Sequence, residues 1–277
     1  MNKLHWITGA AYVSLTAIAG AQIEDFGQWT LLEDPPNALF SASSSSNSVT
    51  LSAASDTLTS VPSGTDIGFA SINGPTFAAS DFGYGFDPSA NFKIMVDYDL
   101  SFLPSVGGGL VIGFGVGEDT DGANSAGVVY ATNNGIPLLV STAARVNDET
   151  QLPTIFSPNK PLVGSFSVEY YANSGSIWVG TGDFGANIQT ESKEITDIQN
   201  QWGDAVLFPS VFLRSQNLGG GEWSSGASTG SAEAVFSNFR IINGEEIRAT
   251  NVIPEPQTYA ALGGLLALLL ALRYRRR

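Results

Sequence analysis

Three carboxylates stand within four residues in the segment Glu118-Asp119-Thr120-Asp121-Gly122. Carboxylate oxygens are the ligands that Ca²⁺ takes in proteins, and a glycine permits a sharp turn beside them. The spacing is not that of an EF-hand, because counting from Asp119 the sixth position is Asn124 and the twelfth is Tyr130. Two interpretations stay open: a calcium site formed by these three acids, or a solvated acidic turn. No other cofactor is indicated.

Aromatic side chains near the ends of apolar runs are candidates for stacking against sugar rings. Trp223 follows three consecutive glycines, and a glycine-rich loop tip offers little against which to bury an indole. Trp178 is the second candidate, in the short run Ile177 to Val179. Four further aromatics complete the set, namely Trp202, Tyr84, Tyr170 and Tyr171. Packing in the core is the alternative role for all six.

Hydrolysis of a glycosidic bond requires two carboxylates facing each other across a cleft, about 5 to 9.5 Å apart. The sequence contains acids but no arrangement that selects such a pair. Glu169 is the only acid within its predicted strand, and we interpret it as a surface-facing residue. No catalytic residue is therefore assigned, and a carboxylate-dependent glycan hydrolase is kept as the alternative to a non-catalytic domain.

The histidine and cysteine content excludes several classes of chemistry. The chain has no cysteine, and its only histidine, His5, precedes the expected mature domain. Catalysis through Ser-His-Asp or Cys-His, a zinc site built on thiolate or imidazole, and haem ligation through His or Cys are thereby excluded from that domain. The core must also be stable without disulfide bonds.

The charge balance excludes nucleic acid as a partner. All of the 26 acidic residues except Glu255, and seven of the 12 basic residues, lie between Gln22 and Ile253, so this span carries 25 acids against seven bases, a net charge of −18. Phosphate binding depends on clustered Lys and Arg, whereas these basic residues are scattered singly. Such a surface favours solubility and attracts cations.

Short segments of alternating apolar residues predict the elements that would position these side chains. The clearest is Phe92 to Phe102, where apolar residues alternate with Lys93, Asp97, Asp99 and Ser101, as in a half-buried strand. Asn173-Ser174-Gly175 predicts a hairpin turn between two further strands. Other predicted strands are 49–53, 67–71, 110–116, 128–131, 138–141, 166–171, 177–179, 206–208, 211–213 and 234–242.

Only two segments depart from this pattern. Glu191 to Trp202 is predicted as a short helix, and the serine-rich stretch Ser41 to Ser48 as a low-complexity loop. The whole pattern predicts an all-β fold, an antiparallel β-sandwich. The strands from Phe92 to Ala131, the hairpin, and the closing run from Ala234 to Ile241 together resemble concanavalin A-like or laminin G-like jelly rolls, which commonly bind glycans or proteins.

The N-terminus has the order of a secretory signal peptide. Lys3 supplies a positive start, an apolar stretch follows, and small residues at Ala19 and Ala21 fit the signal-peptidase pocket. We expect cleavage after Ala21, which leaves Gln22 as the first mature residue.

The C-terminus reads as a second membrane signal. Tyr259 to Leu272 carries no charge but spans only about 21 Å as a helix, so the predicted transmembrane helix is extended to 258–274, the lower limit for crossing a bilayer. The basic tail 273–277 follows, with Arg273, Arg275, Arg276 and Arg277 acting as a stop-transfer signal that stays in the cytoplasm.

Just before this helix stands Pro254-Glu255-Pro256. The order of motif, apolar helix and arginine cluster resembles the PEP-CTERM sorting signal of bacterial envelope proteins, although Ile253 replaces the commoner valine. The resemblance covers about the last 25 residues. It implies recognition by an exosortase, a cysteine transpeptidase-like enzyme that is thought to cut near the motif. Prolines keep such a segment extended and accessible.

These signals divide the chain into a signal peptide (1–21), a β-sandwich ectodomain (22–250) and a sorting signal (251–277). We expect an exported protein, held at the cytoplasmic membrane as a precursor and then placed at the cell surface or in the extracellular matrix. Its expected partners are signal peptidase and exosortase for processing, the membrane before cleavage, and an extracellular polysaccharide or a protein as ligand.

Overall fold

The computed structural model describes residues 22–23, 25–34, 39–55, 60–61, 66–71, 84–103, 109–118, 124–133, 136–147, 149–195, 202, 206–216, 223–224, 230–244 and 246–248. A single 3₁₀ turn, Phe26–Gln28, occurs in these ranges, and the other regular elements are strands. They are β1 (Gln22–Ile23), β2 (Thr30–Asp34), β3 (Phe40–Ser44), β4 (Ser48–Ser55), β5 (Ser60–Val61), β6 (Asp66–Ala70), β7 (Tyr84–Phe86), β8 (Phe92–Leu103), β9 (Gly109–Gly117), β10 (Ser125–Asn133), β11 (Ile136–Val146), β12 (Glu149–Thr150), β13 (Val163–Tyr171), β14 (Ser176–Gly182), β15 (Gln189–Ile195), β16 (Phe208–Gln216), β17 (Trp223–Ser224), β18 (Gly230–Asn243) and β19 (Glu246–Arg248).

Two large antiparallel sheets make up the fold. The eight-stranded sheet has the order β15-β14-β13-β8-β18-β4-β3, with β1 also pairing with β18. The seven-stranded sheet has the order β12-β11-β10-β9-β16-β6-β2. Two small ribbons, β5–β17 and β7–β19, accompany them. This all-β arrangement confirms the predicted antiparallel sandwich and is consistent with a jelly roll.

The core lies between the two sheets and follows from the alternation of apolar residues. In β8, the described residues predicted to face inward are buried, namely Phe92, Ile94, Val96, Tyr98 and Leu100. Their partners Phe166, Val168 and Tyr170 in β13 are buried as well. Aromatic rings join the sheets: the ring centroids of Tyr98 and Tyr130 lie 5.8 Å apart, and those of Phe114 and Phe239 lie 6.2 Å apart.

Residues 151–162 run from the edge of the seven-stranded sheet to the start of β13. Near the edge, Phe156 N donates to Val140 O at 3.0 Å. At the far end the hydroxyls of Tyr98 and Tyr130 donate to Pro161 O at 3.2 and 2.7 Å. Burial raises the pKa of both tyrosine hydroxyls, which therefore stay protonated as donors.

Strands occupy part of each segment that was predicted to depart from the strand pattern. Ser41 to Ser48 is not a loop but the hairpin of β3 and β4, turning at Ser45, whose N donates to Ser48 O at 2.8 Å. Glu191 to Trp202 is not a helix over its first five residues, because β15 pairs with β14. Edge strands carry polar and charged residues on both faces, which removes the alternation that identifies inner strands.

The membrane signals cannot be placed in this fold. Among the described residues, no helix has the length and apolar character needed to cross a membrane. The predicted signal peptide and the whole sorting signal, including the 258–274 helix, lie outside the described residues.

Candidate functional site

One row of side chains crosses the outer face of the eight-stranded sheet. The strand registers place Asn243 opposite Lys93, Lys93 opposite Glu169, Glu169 opposite Trp178, and Trp178 opposite Glu194. Their neighbours along each strand, such as Ile177 and Ile195, point into the core. We call these five residues the tryptophan row. It spans five strands, about 19 Å at the usual strand spacing.

The indole of Trp178 is half-buried and lies between two carboxylates. Directly opposite residues of neighbouring antiparallel strands have Cβ atoms about 5 Å apart, so each glutamate is in reach of the ring edge. The Cβ atoms of Glu169 and Glu194 are then about 10 Å from each other. A partly exposed indole bordered by hydrogen-bond acceptors is a suitable surface for a sugar ring and its hydroxyls.

The two glutamates differ in their surroundings. Glu169 accepts a hydrogen bond of 2.6 Å from the hydroxyl of Tyr171 and forms an ion pair of 3.2 Å with Lys93. The hydrogen bond to Glu169 raises the pKa of the Tyr171 hydroxyl, so Tyr171 remains a donor. Glu194 is exposed at the edge strand. Tyr171 is 40% exposed and adds a second aromatic ring beside the row.

Part of this face, around Asp97, is covered by the loop of residues 183–188, which we call the covering loop. Beneath it Asp97 is fully buried and forms an ion pair of 2.8 Å with Arg240, which is 3% exposed. Asp97 also accepts from Asn238 Nδ2 at 2.8 Å and from Gly185 N, in the loop, at 3.1 Å. The Asp97 carboxylate is therefore compensated by one charge and two further donors.

Arg240 holds the covering loop from below. Its Nε donates to Asn187 Oδ1 at 2.8 Å, and its Nη2 donates to Ala186 O. Arg240 reaches this position through a bulge of β18 at Asn238, whose φ is 50°. The network anchors the covering loop on the sheet, while Phe184 and Ile188 of the loop are 54% and 75% exposed.

Asp97 corrects the sequence analysis, which placed it with Lys93 and Asp99 on the polar, solvent-facing side of its strand. The side is right, since Asp97 points away from the core between the sheets. The predicted exposure of Asp97 is wrong, because the covering loop, which joins β14 to β15, folds over this position. Alternation along one strand carries no information about such a cover.

The predicted aromatic candidates divide in the structure. Trp178 lies on the outer face, as a binding residue requires, whereas Trp202 and Tyr170 are 2% and 4% exposed and pack against each other with ring centroids 5.7 Å apart. Tyr170 is buried because its position in β13 faces inward. Trp223 forms part of β17, where it pairs with Val61, and its side chain lies outside the described residues, as does that of Tyr84.

The binding candidate that sequence analysis missed is Glu194. It fell within the predicted helix and so was never assigned to a sheet face. Glu169 was interpreted as an ordinary surface residue, but the hairpin predicted at Asn173-Ser174-Gly175 already brings it opposite Trp178. Extending that register to the following strand would have found the row.

The acidic turn is described only at its ends. Glu118 Oε1 accepts a hydrogen bond from Asn124 Nδ2, while Asp119 and Asp121 lie outside the described residues. Trp202 Nε1 donates to Asn124 O at 3.3 Å, so this buried indole holds the end of the turn. Within the described ranges no group of three or more histidine, cysteine or acidic side chains could hold a metal ion. Calcium binding by Glu118, Asp119 and Asp121 stays a prediction.

The sequence matches no family model and no curated protein. Among solved structures, the chain is similar to an alginate lyase from Klebsiella pneumoniae, with 12% identity, a TM-score of 0.47 and coverage of 79% of this chain and 96% of the other. It is also similar to a β-glucanase from Bacillus licheniformis (13%, TM-score 0.43, 80% and 99%). A third similar structure is a legume lectin-like domain from Entamoeba histolytica (10%, TM-score 0.41, 80% and 90%). At these values the likeness assigns no activity.

Proposed function

We propose that this chain is an exported cell-envelope or extracellular-matrix protein whose β-sandwich binds a glycan without cleaving it. The tryptophan row carries the proposal: a half-buried indole lies between two carboxylates on the outer face of a sheet whose inner face is packed into the core. Such a surface offers ring stacking and hydrogen bonding together, which is what recognition of a sugar requires.

Binding and hydrolysis demand different arrangements of the same two glutamates. A hydrolase needs its carboxylates on opposite sides of the scissile bond. Glu169 and Glu194 instead point the same way from one sheet with the indole between them, so a sugar on Trp178 would lie above both. This favours a non-catalytic site. The carboxylate-dependent hydrolase is kept as the second candidate because two acids do border the proposed ligand.

A direct test compares the wild type with Trp178→Ala in affinity electrophoresis through gels that contain single polysaccharides, with release of reducing ends measured on the same samples. We expect retardation of the wild type, at least a tenfold weaker interaction in the variant, and no reducing ends. Leu152→Ala is the control, because Leu152 is 94% exposed near the edge of the other sheet. Equal retardation of wild type and Trp178→Ala would rule out the row as the site. If the wild type releases reducing ends, and Glu169→Gln or Glu194→Gln abolishes that release, the hydrolase would be established.

For the two ends of the chain we propose cleavage after Ala21 by signal peptidase and processing near Pro254-Glu255-Pro256 by an exosortase, after temporary anchoring through 258–274. Mass spectrometry of the exported protein tests both steps. The expected product begins at Gln22 and ends near residue 254. An exported chain that still ends at Arg277 would contradict processing of the tail.

A further inference from the structure

The basic side chains on the outer face of the eight-stranded sheet are already engaged. Lys93 pairs with Glu169 at 3.2 Å, and Arg240 pairs with Asp97 at 2.8 Å beneath the covering loop. Elsewhere in the described part of the chain, Lys160, Lys193 and Arg214 also form ion pairs. An anionic glycan lying on the tryptophan row would therefore have to break an ion pair to obtain a cationic partner.

The carboxylate at the end of the tryptophan row, in contrast to these basic side chains, is not engaged by any described residue. Glu194 is exposed, and its carboxylate makes no hydrogen bond or ion pair with any described residue. It stands directly opposite Trp178. A net charge of −18 over residues 22–253 adds a general attraction for cations.

The indole of Trp178 also favours a cationic ligand. An aromatic face attracts ammonium groups through its quadrupole, and tryptophan does so best among the aromatic side chains. A carboxylate beside the ring adds a charge-assisted hydrogen bond to the same ammonium. Trp178 and Glu194 therefore form two parts of an ammonium site at one end of the row.

The direction of the row favours a glycan over a basic peptide. A peptide usually binds a sheet by adding a strand to its edge, where backbone donors and acceptors are unpaired. The tryptophan row runs across the strands, and β8, β13 and β14 are hydrogen-bonded on both sides. A chain lying along the row can therefore use side chains and ring faces but no backbone groups of these strands.

On these grounds we propose that the tryptophan row selects an amino-sugar polymer with free ammonium groups, and discriminates against polymers of uronic acids. Trp178 stacks against a sugar ring, Glu194 receives its ammonium group, and Glu169, held by Lys93 and Tyr171, accepts hydroxyls. This inference rests on the proposed glycan binding and adds the chemical class of the ligand.

The test is calorimetric titration of the ectodomain, residues 22–250, with four probes: a glucosamine hexamer, its fully N-acetylated form, a mannuronate hexamer and hexalysine. The full-length protein in detergent serves as a second sample in case the ectodomain is unstable alone. We expect the glucosamine hexamer to bind at least tenfold more tightly than the acetylated form, and the mannuronate hexamer not to bind. Affinity for the glucosamine hexamer should fall as salt is raised.

Two variants assign the effect to the row. Glu194→Gln should weaken binding of the glucosamine hexamer about two- to fivefold, in the range of an exposed charge interaction next to an aromatic ring. It should leave the acetylated hexamer unchanged. Glu149→Gln, an exposed acid on the other sheet, should change neither.

Each remaining outcome has a defined meaning. Equal binding of the free and acetylated hexamers would overturn the ammonium preference while leaving glycan binding intact. Tighter binding of mannuronate would overturn the charge argument. Hexalysine binding as tightly as the glucosamine hexamer would overturn the selection of a glycan, because charge alone would then decide binding. Failure of every probe would remove this proposal, and the gel test above would then decide glycan binding separately.

Discussion

Asp97 and Arg240 form an ion pair that is almost completely withdrawn from water. Removing one member of such a pair leaves a buried, uncompensated charge, which costs about 3 to 5 kcal/mol. Asp97→Ala should therefore lower the free energy of unfolding by that amount, as measured by urea denaturation. Asp99→Ala, two residues along the same strand but exposed, should change it by less than about 0.5 kcal/mol. Similar losses of unfolding free energy in both variants would mean that the buried Asp97–Arg240 pair contributes no more to stability than an exposed residue does.

The ion pairs of Glu191 make a contribution to stability that depends on pH. Ion pairing and hydrogen bonding with Lys160, with further contributions from Lys193 and Ser157, lower its pKa from 4.5 to about 2. Because the folded-state pKa is the lower one, this stabilisation is complete above about pH 4.5 and is lost as the pH falls to about 2.

Glu191→Gln should accordingly reduce the free energy of unfolding by about 1 kcal/mol at neutral pH. The difference from wild type should shrink below pH 4.5 and vanish near pH 2, in denaturation curves recorded across that interval. Glu149→Gln is the control, since Glu149 is exposed. A difference that does not depend on pH would exclude ionisation of Glu191 as its cause.

Among individual residues, those that face the core were predictable from the sequence, whereas the buried Asp97–Arg240 ion pair was not. Period-2 alternation assigned Phe92, Ile94 and Val96 to the core, because the side chains of a strand must alternate. The burial of Asp97 depends on Arg240, 143 residues further along the chain, and on the covering loop. Nothing in the local sequence of β8 encodes either contact.

At the scale of elements, the covering loop fits closely onto the sheet at Gly182. A Cβ added there would lie 2.5 Å from Ile188 O and 2.8 Å from Ser165 Oγ. Gly182→Ala should therefore push the loop away, lower the free energy of unfolding by about 1 to 3 kcal/mol and increase hydrogen exchange at Gly185. Gly117→Ala is the matched control at the end of β9, where the nearest atom would be 3.4 Å away. Equal effects in the two variants would show that contact with the loop is unimportant.

Elements at the sheet edges were the ones that sequence analysis assigned wrongly. β3 is half of a serine-rich hairpin, and β15 combines charged residues with a single apolar inward position near its end. Both owe this composition to the edge, where a strand is paired on one side only. The proposed site was only partly predictable for the same reason, because Trp178 lies on an inner strand and Glu194 on an edge strand.

At the scale of the whole molecule, β18 is the last strand of the eight-stranded sheet along the chain, and it lies inside that sheet rather than at its edge. β18 lies between β8 and β4 and pairs with both along most of its length. A chain ending at residue 229 should therefore show no cooperative unfolding transition in circular dichroism, whereas a chain ending at residue 250 should show one. A cooperative transition in the shorter chain would mean that β8 and β4 form a stable sheet without β18.

The central position of β18 also determines when the protein can fold. Residues 92–103 and 48–55 leave the ribosome long before the strand that joins them is synthesised, so the large sheet stays in two separate parts until β18 has been made. Long-range pairing of this kind is slow as well as late. The large sheet of this topology can close only after residue 243 has emerged, so residues 48–55 and 92–103 cannot reach their final pairing before then.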